Sequence, residues 1–144
     1  MEIVKVCKIL TRNDTGETNS HQSGITIPKE IANTDIFPKM GIDKPNPREE
    51  ILFFDEDNTP WKFQYIYYND IFFGKDKKLG HNEHRLTRVK KYLKQNGIVA
   101  GDTIFFLIDA KGVRHVGIEK KTNDEQDNNG VIKLGNGWKC ITIK

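Results

Sequence analysis

The sequence predicts a mainly β fold: an antiparallel, barrel-like domain of seven short strands, closed by one or two short helices. Three observations carry that expectation. Runs of β-branched and aromatic residues bounded by Gly, Pro, Asn and Asp recur along the 144 residues. Residues 61–68 alternate strictly, with Trp61, Phe63, Tyr65 and Tyr67 on one face and Lys62, Gln64, Ile66 and Tyr68 on the other. Helical periodicity is confined to two short stretches. A chain of this length, 36% hydrophobic and 10% aromatic, builds one core and one domain, spanning 1–144.

In chain order, the strands are expected at about 2–10, 23–27, 50–55, 61–68, 102–109, 113–119 and 138–143. Pro28 suits the first turn of a short helix over 29–32, where its missing N–H has no intrahelical partner. A second helix is expected over 86–95, because Leu86, Val89 and Leu93 form one apolar stripe and Asn96-Gly97 supplies a stop. DTIFFLID-AKG-VRHVGIEK reads as a hairpin turning near Lys111-Gly112. Two polar, irregular segments remain, 11–22 and 73–85, and polar loops on a rigid sheet are where binding residues sit.

Several classes of function are disfavoured. No stretch approaches the roughly 20 apolar residues that span a bilayer, so no membrane partner is expected. The N-terminal MEIVKVCKIL is too short and too charged for a signal peptide, which predicts a cytoplasmic location. Cys7 and Cys140 suit reduced, buried thiols rather than a disulfide framework. A zinc site from His81, His84, His21, His115 and the cysteines lacks any ligand pair at the usual spacing, so no metal is expected. Neither a phosphate-cradling glycine loop nor a nucleophile elbow is present.

Charge distribution is more informative than the net +3. From Gly74 to Lys94 there are eight Lys or Arg against Asp76 and Glu83, while the rest of the chain is slightly acidic, so one side is strongly basic. Lys75, Lys77, Lys78, Arg88, Lys90, Lys91 and Lys94 are expected to contact phosphates irrespective of base sequence. Base edges call for other chemistry: Asn and Gln pair with adenine, Arg with guanine, Glu with cytosine N4. Arg12, Asn13, Asp14, Thr18, Asn19, His21 and Gln22 in the first segment, with His81, Asn82, Glu83, His84 and Arg85 in the second, are the candidate readers, and Thr26 is a further one. For both segments to enter one groove, they should project from the same side of the scaffold.

Two other readings compete. Asp109 followed by Glu119-x-Lys121 has the look of a Mg2+-dependent nuclease signature, although a hairpin sets the two carboxylates far apart. The exposed aromatics also suit an RNA-binding or protein-interaction module.

NDTGETNSHQSGITIPKEI (13–31), then Phe37-Pro38, Asn46-Pro47-Arg48, YIYYN (65–69), Phe73-Gly74 and NEHRLTR (82–88), resembles the N-terminal effector DNA-binding domain of EcoRII-like type IIE restriction endonucleases. VAGDTIFFLI resembles the strand entry of the wider pseudobarrel superfamily, which includes plant transcription-factor domains. The resemblance implies a seven-stranded DNA-binding pseudobarrel that grips duplex DNA with two arms in the major groove, at a short site such as CC(A/T)GG. It implies a module of a larger restriction endonuclease in bacterial restriction-modification, non-catalytic in itself. A nuclease domain in the same parent chain would carry the Mg2+, and this domain would need no cofactor. The extra residues between Gly74 and Asn82 depart from the pattern, and His81 and His84 stand where basic residues are expected, which makes phosphate contact there weaker and pH-dependent.

Overall fold

The computed structural model describes residues 3–17, 24–41, 43–69, 82–121, 131–133 and 137–143. These form nine strands, β1 (Ile3–Ile9), β2 (Ile25–Ile27), β3 (Arg48–Phe54), β4 (Pro60–Asn69), β5 (Asn82–Thr87), β6 (Thr103–Ile108), β7 (Arg114–Glu119), β8 (Val131–Lys133) and β9 (Trp138–Ile143). Three short helices join them, α1 (Arg12–Thr15), α2 (Lys29–Ala32) and α3 (Lys90–Gln95). The strands make one open, curled sheet in the order β2-β5-β4-β3-β7-β6-β1-β9-β8. Neighbours run antiparallel except at the β3–β7 seam, a parallel join at Phe54 and His115.

All seven expected strands are present, and β5 and β8 add to them. β5 falls in the segment expected to be a loop, because NEHRLT has no apolar alternation to announce it. Pairing on both flanks, with β2 and with β4, overrides that local polarity. The expected 86–95 helix is shortened for the same reason. Leu86 and Thr87 belong to β5, Arg88 takes φ 64°, and the helix starts only at Lys90. The stripe itself is buried as expected, with Leu86, Val89 and Leu93 all 2% exposed or less. The first polar segment is also partly regular, since 12–15 form α1. Pro28 stands one position earlier than expected, as the N-cap of α2.

The inner face of the sheet builds the core. Phe53, Phe63, Tyr65, Phe106 and Trp138 are fully buried, and each such ring contributes about 1.5–3 kcal/mol by leaving water. The concave side is filled by Ile36 and Phe37 following α2 and by Tyr92 and Leu93 of α3. Phe37 joins the two halves of the sheet, stacking on Tyr65 at 5.0 Å and meeting Phe106 edge-on at 6.0 Å. Cys7 and Cys140 lie on neighbouring strands, but Cys140 faces Val6 in the register while Cys7 faces Lys139, so the thiols point to opposite faces. Both are free, and burial pushes each thiol up from its ordinary pKa.

Candidate nucleic-acid interface

The two arms leave the sheet at points that the sequence did not anticipate. β2 and β5 are antiparallel, with Ile25 opposite Leu86 and Ile27 opposite His84. The first arm therefore returns at the Thr87 end of β5, and the second enters at its Asn82 end. Five residue steps at roughly 3.4 Å set the roots about 17 Å apart. The two roots thus stand at the two ends of β5.

The first root is tightly built. Thr11 and Asp14 form a capping box around α1: Asp14 N–H donates to Thr11 Oγ1 (3.2 Å) and Thr11 N–H to Asp14 Oδ2 (2.9 Å). Asp14 also accepts from Lys8, and both side chains are buried. This corrects the assignment of Asp14 as a base reader, because its carboxylate is consumed in holding α1 to β1. Gly16 closes α1 at φ 82°, and a side chain there would reach Lys90 of α3. Gly24, at φ 90°, lies so close to Leu86 that a Cβ would stand 2.2 Å from its carbonyl oxygen. Arg12 and Asn13 remain exposed, Arg12 lying 3.8 Å from Glu17. Arg88, Lys90, Lys91 and Lys94 are exposed in the same region. Arg88 Nη1 stands 3.4 Å from Glu50 Oε1, an open pair worth little energetically.

The second root is held by side-chain amides. Asn69, at the end of β4 and fully buried, accepts from Asn46 N–H (2.9 Å) and donates to the Lys44 carbonyl (2.9 Å). Tyr67 N–H donates to the Pro47 carbonyl at 3.0 Å. Sequence reasoning missed this bracket, although its resemblance blocks 46–48 and 65–69 contain both asparagines.

Between the roots, on the outer face, lie Thr26, Glu83 and Arg85. The register sets Thr26 opposite Arg85, with Glu83 two residues along the same face. Arg85 Nη2 donates to Glu83 Oε2 at 2.9 Å and Thr26 Oγ1 to Glu83 Oε1 at 3.5 Å. Arg85, expected on a free loop, is a strand residue only 8% exposed. The cluster thus presents a hydroxyl, a carboxylate and a guanidinium in fixed order. Asn82 is exposed at the head of β5.

His84 faces the other way. Its ring stacks on Tyr67 at 4.3 Å and 11° and on Tyr65 at 5.7 Å and 20°. Burial, and then the nearby Lys39 charge, hold its pKa below the ordinary value. His84 is therefore an uncharged inner-face ring at neutral pH, which corrects its expected place beside phosphate. Thr18, Asn19, His21, Gln22, Lys75, Lys77, Lys78 and His81 lie outside the described residues.

The nuclease residues do not come together. Asp109 Oδ1 accepts from Lys111 and Val113 N–H in the β6–β7 turn, and Oδ2 lies 2.9 Å from His115 Nε2. Glu119, at the far end of β7, pairs with Lys5 at 3.2 Å. Asp109 lies across from Val113, six residues before Glu119, so about 20 Å of strand separates the two positions, too far to share an ion. Lys121 donates its N–H to Asp102. Among the described residues no group of three or more His, Cys, Asp or Glu could hold a metal ion.

The sequence model of the family "Restriction endonuclease EcoRII, N-terminal" matches residues 1–98. Auxin response factor 16 of Oryza sativa subsp. japonica is 29% identical over 120 residues, which cover 83% of this chain and 10% of that protein. Auxin response factor 4 of Arabidopsis thaliana is 30% identical over 115 residues, 79% of this chain and 13% of that protein. The chain thus spans about a tenth of the length of these curated relatives. Among solved structures, the Arabidopsis FUS3-DNA complex aligns with a TM-score of 0.61 at 19% identity, covering 81% of this chain and 96% of that one. The shared fold is a pseudobarrel.

Proposed function

The chain belongs to the family of EcoRII restriction endonuclease N-terminal domains, and from that premise we propose that it binds duplex DNA sequence-specifically through the major groove. The observation that carries the proposal is the Thr26–Glu83–Arg85 cluster, set between two arm roots about 17 Å apart. That separation straddles a major groove ~12 Å wide. Glu83 is suited to accept from cytosine N4 and Arg85 to donate to guanine, so one G·C pair offers both partners. Arg12, Asn13 and Asn82, with Thr18, Asn19, His21, Gln22 and His81 of the arms, extend the reading surface. Arg88 and Lys91, with Lys75, Lys77 and Lys78, neutralise phosphates and set orientation.

The finer reading is a short CC(A/T)GG-like site, read by a non-catalytic module of a bacterial, cytoplasmic type IIE restriction endonuclease. The nuclease domain and its Mg2+ lie outside these residues. Family membership supports that context, while the plant relatives support DNA recognition in a different one. Selection from a pool of random duplexes tests the proposal. One short motif should be enriched and bound at least ~10³-fold tighter than random duplex; recovery without sequence bias would refute it. Incubating the selected duplex with Mg2+ should leave it intact, and cleavage lost on Glu119→Ala would reinstate the nuclease reading.

A further inference from the structure

A groove of about 600 Å³ lies on the inner side of β2, β5 and β4, walled opposite by α2 and the segment after it. Ile27, Met40, Tyr67 and His84 line it together with Lys29 and Lys39. The aromatic rings beneath it form a continuous column. Phe37, Tyr65, His84 and Tyr67 follow one another at 5.0, 5.7 and 4.3 Å, each within 20° of parallel to the next. Phe37 and Tyr65 are fully inside the core, whereas Tyr67 and His84 line the groove. The column therefore reaches the groove at Tyr67 and His84, where a flat aromatic guest would meet it.

The polar groups narrow the guest further. Lys39 Nζ lies 3.4 Å from both the Ala32 and Thr34 carbonyls, held over the end of α2 at the groove's edge. Lys29 stands at the start of the same helix. Two cations on one wall suit an anion. Thr26 and Glu83 also border the groove, so it opens around the β2 edge toward the outer-face cluster.

We propose that this groove is a nucleotide site, with one unstacked base lying on Tyr67 and its phosphate held by Lys29 and Lys39. The base comes from a distorted DNA duplex or from a free mononucleotide; the first source rests on the DNA-binding reading above, and the second does not. An unpaired base needs little energy to leave the stack, so it is the form that fills such a pocket most readily.

The test uses the full chain and three probes: a fully paired duplex, the same duplex with a one-nucleotide 2-aminopurine bulge, and adenosine monophosphate, with inorganic phosphate as control. For a DNA-derived base, the bulged duplex binds roughly 5- to 150-fold tighter than the paired one, the range that base–aromatic stacking supplies. Tyr67→Ala abolishes that preference and Tyr67→Phe keeps it. For a free mononucleotide, adenosine monophosphate shifts the His84 ring proton resonances, phosphate alone does not, and Lys39→Gln weakens adenosine monophosphate but not adenosine. Lys39→Gln also serves if Tyr67→Ala does not fold. Equal affinity for bulged and paired duplex, with no nucleotide-induced shift, overturns the site and leaves DNA binding standing. A nucleotide-induced shift without any paired-duplex binding upholds the site and removes the DNA reading.

Discussion

Asn46 and Asn69 each accept the other's backbone N–H in a side-chain carbonyl, at 2.9 Å and 3.3 Å, and so clamp the base of the second arm to the segment before β3. Asn46 reaches this position at φ 48°, a conformation that asparagine adopts more readily than most residues. Asn69→Ala leaves the Asn46 N–H and the Lys44 carbonyl without their partner. The expected loss is about 1–3 kcal/mol, since both bonds are part-buried and water reaches the exposed Lys44. Urea unfolding measures it, and a change under 0.5 kcal/mol would remove the clamp from the stability argument.

The Lys8–Asp14 pair makes a contrasting prediction. Removing one partner of a buried pair strands the other charge, so Asp14→Ala should cost about 3–5 kcal/mol. Replacing both, as Lys8→Met with Asp14→Leu, should recover most of the pair's share of that loss, because two apolar side chains need no compensation. A double-mutant cycle by chemical denaturation reads the coupling, and strictly additive losses would show that the two groups act independently.

On DNA, the outer-face cluster and α3 should behave differently. Arg85→Ala should cost roughly 1–3 kcal/mol on the selected site and little on random duplex. Lys91→Ala should weaken both equally and lower the salt slope by about one unit. Titrations at several salt concentrations separate them. Equal losses on both duplexes for Arg85→Ala would take it off the list of base readers.

Acid should destabilise the protein in two separate windows. His84 has a folded pKa below its unfolded value, so its contribution is complete above about pH 6.5 and is lost as the pH falls toward the folded value. Asp102, 2% exposed, is raised by burial but lowered more by the Val99 and Lys121 N–H groups and Lys120, leaving it below the usual carboxylate range. Its contribution is complete above about pH 4 and is lost only below that. His84→Gln should flatten the stability profile in the upper window and Asp102→Asn in the lower. An unchanged profile between pH 6.5 and 5 in His84→Gln would exclude the first assignment.

What could be read from the sequence is what repeats locally. The alternation at Trp61, Phe63, Tyr65 and Tyr67 marks the face that turns inward, and Phe63 and Tyr65 are indeed fully buried. The Leu86, Val89 and Leu93 stripe identifies core residues correctly but not their backbone, because a strand followed by a short helix buries the same three positions as one helix. β5 is illegible locally, since partners on two flanks decide its state. Asp14, Arg85 and His84 look alike as polar loop residues, yet one caps a helix, one joins an outer-face ion pair and one stacks among tyrosines. Those fates depend on Lys8, Glu83 and Tyr67, brought near by the fold.

The one-residue seam between β3 and β7 has a mechanical consequence. The half that contains β2, β4 and β5 meets the half that contains β1, from which the first arm departs, through Phe54 and His115 and through ring contacts such as Phe53 on Phe106, 5.3 Å apart. Ring contacts slide at lower cost than ladders break, so a change in the splay of the two halves is expected to run through this seam while the hairpins stay intact. Amides along that seam should accordingly take up deuterium before those of the β1–β6 ladder.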